Sequence, residues 1–146
     1  MRYRALITIA TIVAASTVAG AQTAEARLPT CTGSAFQHAG GNWYIDNPNL
    51  FDTFNHRCIL RYGDSFRDPE NSPVMTLQRT LNYCYRTKLV IDGIYGPLTR
   101  AAVMRVQRLH RITVDGVYGP QTRSAMFWRM YRFEYGPWSQ RCYSPF

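Results

Sequence analysis

Lysine is almost missing from this chain: Lys88 is the single copy, and sixteen arginines supply the remaining basic charge. Acidic side chains are few, nine against seventeen basic. Such an excess favours anionic partners, whether wall polymers, lipid headgroups or extracellular nucleic acid. The arginines are scattered rather than gathered on one helix or tail, which argues against nucleic acid. Catalytic signatures are missing too. There is no Gly-x-Ser-x-Gly, His-Glu-x-x-His or reactive-cysteine pattern, and no motif frames Glu70 and Glu134 as a glycosidase pair. An enzyme needs positioned acid–base, nucleophilic or metal groups, so the chain is read as non-catalytic and without a cofactor. No two cysteines have Cys-x-x-Cys spacing, and His38, His56 and His110 lie far apart, which leaves no readable metal motif.

Long apolar runs are confined to the start. Arg2 and Arg4 precede an apolar stretch over 5–21, followed by two Ala-x-Ala sites, Ala19-Gly20-Ala21 and Ala24-Glu25-Ala26. Residues 1–26 are read as a signal peptide, cleaved after the second site, with no stable membrane span once it is removed. From Arg27 onward, fifteen basic side chains face eight acidic ones, a net +7. All four cysteines, Cys31, Cys58, Cys84 and Cys142, fall in this exported part. An even count in a small secreted chain implies two disulfides and allows three pairings. The favoured pairing is Cys31 with Cys58 and Cys84 with Cys142. The first would close the segment with least core of its own, and the second would fasten the C-terminal tail to the first helix.

What the chain does have is an internal repeat. Asp92-Gly93-Ile94-Tyr95-Gly96-Pro97-Leu98-Thr99-Arg100-Ala101-Ala102-Val103 recurs 23 residues later as Asp115-Gly116-Val117-Tyr118-Gly119-Pro120-Gln121-Thr122-Arg123-Ser124-Ala125-Met126. Asp-Gly is a turn signal, and Gly-Pro sets the first helical position just behind it. Each copy therefore reads as a tight turn launching a helix, with Asp and Thr capping the loop. Thr99, Ala102, Val103, Val106 and Leu109 share one helical face; Thr122, Ala125, Met126 and Met130 share another. Ahead of the repeat, Ser72 and Pro73 start a helix with Val74, Leu77, Gln78, Leu81, Cys84 and Tyr85 along one stripe. Gln78 is expected to satisfy backbone groups of an adjacent loop.

Leu77-Gln78-x-x-Leu81, two copies of Asp-Gly-x-Tyr-Gly-x-x-Thr, and Ala102-Val103 with Val106-Gln107 between them resemble the peptidoglycan-binding-like domain. The resemblance runs from about Ser72 to Met130. It implies a three-helix module that binds bacterial cell walls and leaves catalysis to other domains. The expected fold class is mainly α: that module over 72–131, an irregular or short-stranded, disulfide-held segment over 27–71, and an aromatic tail over 132–146. A polar linker is expected from Tyr62 to Ser72.

The expected function is secreted, non-catalytic binding of peptidoglycan or another anionic wall polymer, with a place outside the cell or at its wall. The alternatives are an interaction protein that docks another exported protein, and a very small wall hydrolase. Such a ligand offers sugar faces for aromatic stacking, amides for hydrogen bonds and carboxylates for arginine. Candidate contacts are Asp92, Tyr95, Arg100, Gln107, Asp115, Tyr118 and Arg123. Tyr95 and Tyr118 could equally pack the turns onto the core.

Overall fold

The computed structural model describes residues 28–132 and 141–144. The expected signal peptide, and the tail over 133–140, fall outside them. Element order is β1 (Gly33–Gly40), β2 (Trp43–Asn49), α1 (Pro73–Tyr85), α2 (Pro97–Leu109), α3 (Pro120–Ala125), β3 (Trp128–Tyr131) and β4 (Cys142–Tyr143). The four strands form one antiparallel sheet in the order β1-β2-β3-β4. The expectation of a mainly α fold is thus overturned: the helices lean on a sheet assembled from both ends of the chain.

Alternation explains the sheet. Ile45, Asn47 and Asn49 on β2, and Trp128 and Met130 on β3, turn inward at every second position, with Pro48 and Tyr131 buried beside them. The same alternation ends α3 early. Helical spacing would have carried it through Met130, but Met126 turns extended at ψ 157° and the chain enters β3. Trp128 is fully buried, and its indole N–H donates to the Arg123 carbonyl at 2.9 Å, taking one of the acceptors that the broken helix leaves open. Burying that ring outweighs one more helical turn.

Helix α1 behaves as its sequence implies. The Ser72 hydroxyl accepts from the Met75 N–H at 3.1 Å, Pro73 occupies the first turn, and Arg86 closes the end with φ 55°. Val74, Leu77 and Leu81 are fully buried against β2 and β3. Truncating Leu77 or Leu81 to alanine would cost about 2–5 kcal/mol.

The stretch expected as a polar linker is instead bonded to the first repeat, and Leu60 just ahead of it to the second. Leu60 and Tyr118 exchange backbone bonds of 2.8 and 2.9 Å, Tyr95 N–H donates to the Asp64 carbonyl at 2.8 Å, and Phe66 N–H donates to the Gly93 carbonyl at 2.8 Å. Buried backbone groups need partners, and here one strap satisfies two turns. Disulfides join Cys31 to Cys58, with Cα atoms 5.0 Å apart, and Cys84 to Cys142, 5.8 Å apart. Among the described residues, no helix is long and apolar enough to cross a membrane.

Candidate functional site

Each repeat turn is organised by a glutamine from the preceding helix. Gln78 Nε2 donates to Asp92 Oδ1 at 2.9 Å and to the Ile94 carbonyl at 3.1 Å, with Thr99 Oγ1 at 3.2 Å. Its Oε1 accepts from the Asp92 and Gly93 N–H groups at 3.2 and 3.1 Å. Asp92 Oδ1 also accepts from Ile94 N–H at 2.9 Å, and Thr99 donates to the Ile94 carbonyl at 3.3 Å. The second turn repeats this bond for bond. Gln107 Nε2 donates to Asp115 Oδ1 at 2.7 Å and the Val117 carbonyl at 2.9 Å, with Thr122 Oγ1 at 3.1 Å. Its Oε1 accepts from Asp115 and Gly116 N–H at 3.1 and 2.9 Å. Asp115 caps Val117 at 2.8 Å, and Thr122 closes onto the Val117 carbonyl at 3.2 Å. Gly93 and Gly116 sit at φ 74° and 71°, in the left-handed region that a β-carbon disfavours.

These bonds decide what several candidate contacts can offer. Gln107 is 1 % exposed, and its amide is fully engaged by its own turn. Tyr95 and Tyr118 are 0 % exposed. The Tyr95 hydroxyl donates to the Gly116 carbonyl at 3.1 Å, so the first repeat's ring pins the second repeat's turn. Tyr118 meets Trp128 edge to face at 6.1 Å. Burial pushes both phenols above the usual tyrosine range. None of these three side chains presents a surface in this structure. Asp92 and Asp115 are half-buried caps. The Gln78 amide, and then the Ile94 N–H, hold the Asp92 carboxyl below its ordinary value.

The two arginines part company. Arg123 is half-buried: its Nε donates to Asn47 Oδ1 at 2.9 Å, and its guanidinium also donates to Gln37 Oε1. Burial lowers its pKa from the ordinary arginine value. Arg100 is exposed, and its aliphatic stem lies so close over Gly116 that a β-carbon there would stand 2.8 Å from Arg100 Cγ.

Two grooves open beside the first turn. One, of about 250 Å³, is lined by Asp92, Leu89, Val90, Ile94, Pro97 and Leu98 among others. The other, of about 330 Å³, is lined by Tyr62, Pro97, Arg100, Ala101 and Met104. Pro97 is their shared wall. The structure therefore gathers Asp92 and Arg100 on one side of the molecule and leaves Arg123 under the sheet. Val90 and Leu98, each 73 % exposed, and Tyr62, 63 % exposed, were not among the sequence candidates. One signal for Leu98 was available: it is matched by Gln121 in the second copy, an apolar residue at a helix start where the repeat tolerates a polar one. Among the described residues, no group of His, Cys, Asp and Glu is placed to hold a metal ion.

Residues 70–126, under half of the chain, match the family described as "Putative peptidoglycan binding domain". No curated protein matches the chain. Among solved structures, a Burkholderia AP3 phage endolysin is similar at 44% identity over 45% of this chain, with TM-score 0.39. The chain spans only 23% of that endolysin. The SleB N-terminal domain is similar at 28% identity, covering 46% of this chain and 85% of that one, with TM-score 0.40. A peptidoglycan-binding protein from Clostridioides difficile, solved with glutamine hydroxamate, is similar at 20% identity over 61% of this chain and 53% of its own, with TM-score 0.43.

Proposed function

We propose that this protein is a secreted, non-catalytic module that binds peptidoglycan through the two grooves beside its first repeat turn. The family match over residues 70–126 carries this reading. The residues around the grooves supply chemistry that such a ligand needs. Tyr62, Val90 and Leu98 offer exposed apolar faces for sugar rings, and Asp92 accepts hydrogen bonds. Arg100 has its stem held over Gly116 and its charge in solvent, suited to a peptide carboxylate. Gln78 and Gln107, each 1 % exposed, hold the turns, and Gln78 and Asp92 both line the smaller groove. Two disulfides fit an oxidising compartment.

Co-sedimentation with purified sacculi stripped of attached polymers tests the reading. At low salt the protein should partition into the pellet, and Arg100→Ala should weaken retention by about tenfold. Equal recovery in the supernatant with and without sacculi would overturn it. Turbidity clearing of the same sacculi would overturn the non-catalytic part alone.

A further inference from the structure

Along the C-terminal half of α2 lies a cavity of about 510 Å³, lined by Cys84, Tyr85, Arg86, Arg105, Arg108 and Leu109. A second cavity, of about 250 Å³, adjoins it and contains Lys88, with Leu89, Leu98, Ala101 and Arg105 among its walls. Arg105 lines both, so the two recesses meet at its side chain. Among the described residues, four cations border them and no carboxylate does. Their side chains are exposed, and none has a hydrogen bond or ion pair among the described residues.

Helix geometry accounts for part of this. Arg86 caps the end of α1 and Arg108 lies in the last turn of α2, where a cation complements the helix dipole. That account does not extend to Arg105, a turn further back, or to Lys88, which sits beyond α1. Four like charges along one concave track repel each other, and the helix dipoles account for only two of them. They suit a ligand that carries negative charges at intervals.

We propose that the groove from Arg86 and Arg108 through Arg105 to Lys88 binds a linear phosphodiester polymer with an aliphatic backbone, beside the first-turn grooves, with which it shares the walls Leu89, Leu98 and Ala101. Guanidinium groups take phosphate oxygens bidentately, and three of the four cations are arginines. The walls between them are apolar (Leu89, Leu98, Ala101 and Leu109), which suits carbon chains between phosphates. Nucleic acid would stack its bases on aromatic rings, and among the described residues the ring that lines this groove, Tyr85, is buried with its hydroxyl engaged by Phe127 N–H and His110. A charged bilayer is flat, whereas these charges line a recess. The proposal does not rest on peptidoglycan binding.

The test is titration of the whole protein with poly(glycerol phosphate), alongside short-chain inorganic polyphosphate, single-stranded DNA and anionic phospholipid vesicles. Poly(glycerol phosphate) should bind, with polyphosphate competing. The triple variant Arg86→Gln, Arg105→Gln, Arg108→Gln should lose at least tenfold in affinity, and its salt slope should fall by roughly 0.7 per cation removed. A control of equal charge loss, Arg57→Gln, Arg61→Gln, Arg67→Gln, should bind as the parent does. Equal losses in both triples would reduce the effect to net charge and overturn the site. Tighter binding of DNA or vesicles, lost in the groove triple, would overturn the polymer assignment. No binding by the parent would overturn the whole. The groove triple should still sediment with stripped sacculi, so either reading can fail while the other stands.

Discussion

The two repeat turns carry the same hydrogen bonds and opposite surroundings. In the first, the Gln78 network stands beside open grooves, and its arginine, Arg100, is exposed. In the second, the Gln107 network is backed by Trp128 and the sheet, and its arginine, Arg123, is bound to Asn47 and Gln37. Identical motifs therefore divide the labour: one supports a surface, the other anchors the sheet. Identity of sequence in a repeat fixes the frame of each turn and says little about what the turn faces.

The sharpest way to break this symmetry is at the glycines. In Gly93→Val the new β-carbon would stand 2.0 Å from the Phe66 carbonyl oxygen, a backbone atom of the strap. A loss of about 4 kcal/mol or more, or failure to fold, is expected in urea melts. In Gly116→Val the obstacle is the Arg100 stem, which can swing aside. Positive φ then remains the main penalty, about 1–3 kcal/mol. Equal losses in the two variants would show that the strap yields as easily as a side chain.

The equivalence of the two networks is tested next. Gln78→Ala and Gln107→Ala each leave a turn's N–H groups and a capping carboxylate without partners, and each should lose about 2–4 kcal/mol. A gap well above 1 kcal/mol between them would show that the sheet props up one turn. Arginine truncation should then separate them again. Arg123→Ala should lose about 1–2 kcal/mol of stability through Asn47 and Gln37, whereas Arg100→Ala should stay within about 0.5 kcal/mol in the same melts.

The smallest effect is a matter of pH. Burial raises the pKa of Asp46 on β2 above its ordinary 3.8, against the opposing hydrogen bonds from Thr76 and Ser34. A raised carboxyl contributes stability below pH 3.8 and loses it as pH rises through the folded value. Asp46→Asn should therefore be more stable than the parent at pH 7, with the advantage gone at pH 3. Asp92, whose pKa is lowered, works the other way: its contribution is present above pH 3.8 and lost on acidification. Urea melts of Asp46→Asn at both pH values check the sign, and a variant less stable at pH 7 would refute it.

The turns were legible because their chemistry is local. Asp92, Gly93, Pro97 and Thr99 lie within one short stretch, and each residue type has one physical reason to stand where it does. The sheet was not, because Tyr44 pairs with Tyr131 across most of the chain, and no local pattern marks that partnership. Met130 fits both a helical face and a strand face, and the choice was made by the core that takes the Trp128 indole. Gln107 misled for a related reason. Its place on α2 was readable, but nothing in the spacing said that its own turn would fold back and cover it.

The placing of β3 between β2 and β4 bears on how portable the module is. A graft cut at residues 70–126 would discard Trp128 and Met130, the inward face of β3. It would also discard the strap that bonds both turns and the cysteine partner that ties α1 to β4. What remained would be three helices, with the apolar face that α1 packs against β2 and β3 left open. A transferable version of this protein begins before Cys31 and runs through Cys142, so its natural cassette is about twice as long as the segment its sequence motif marks out.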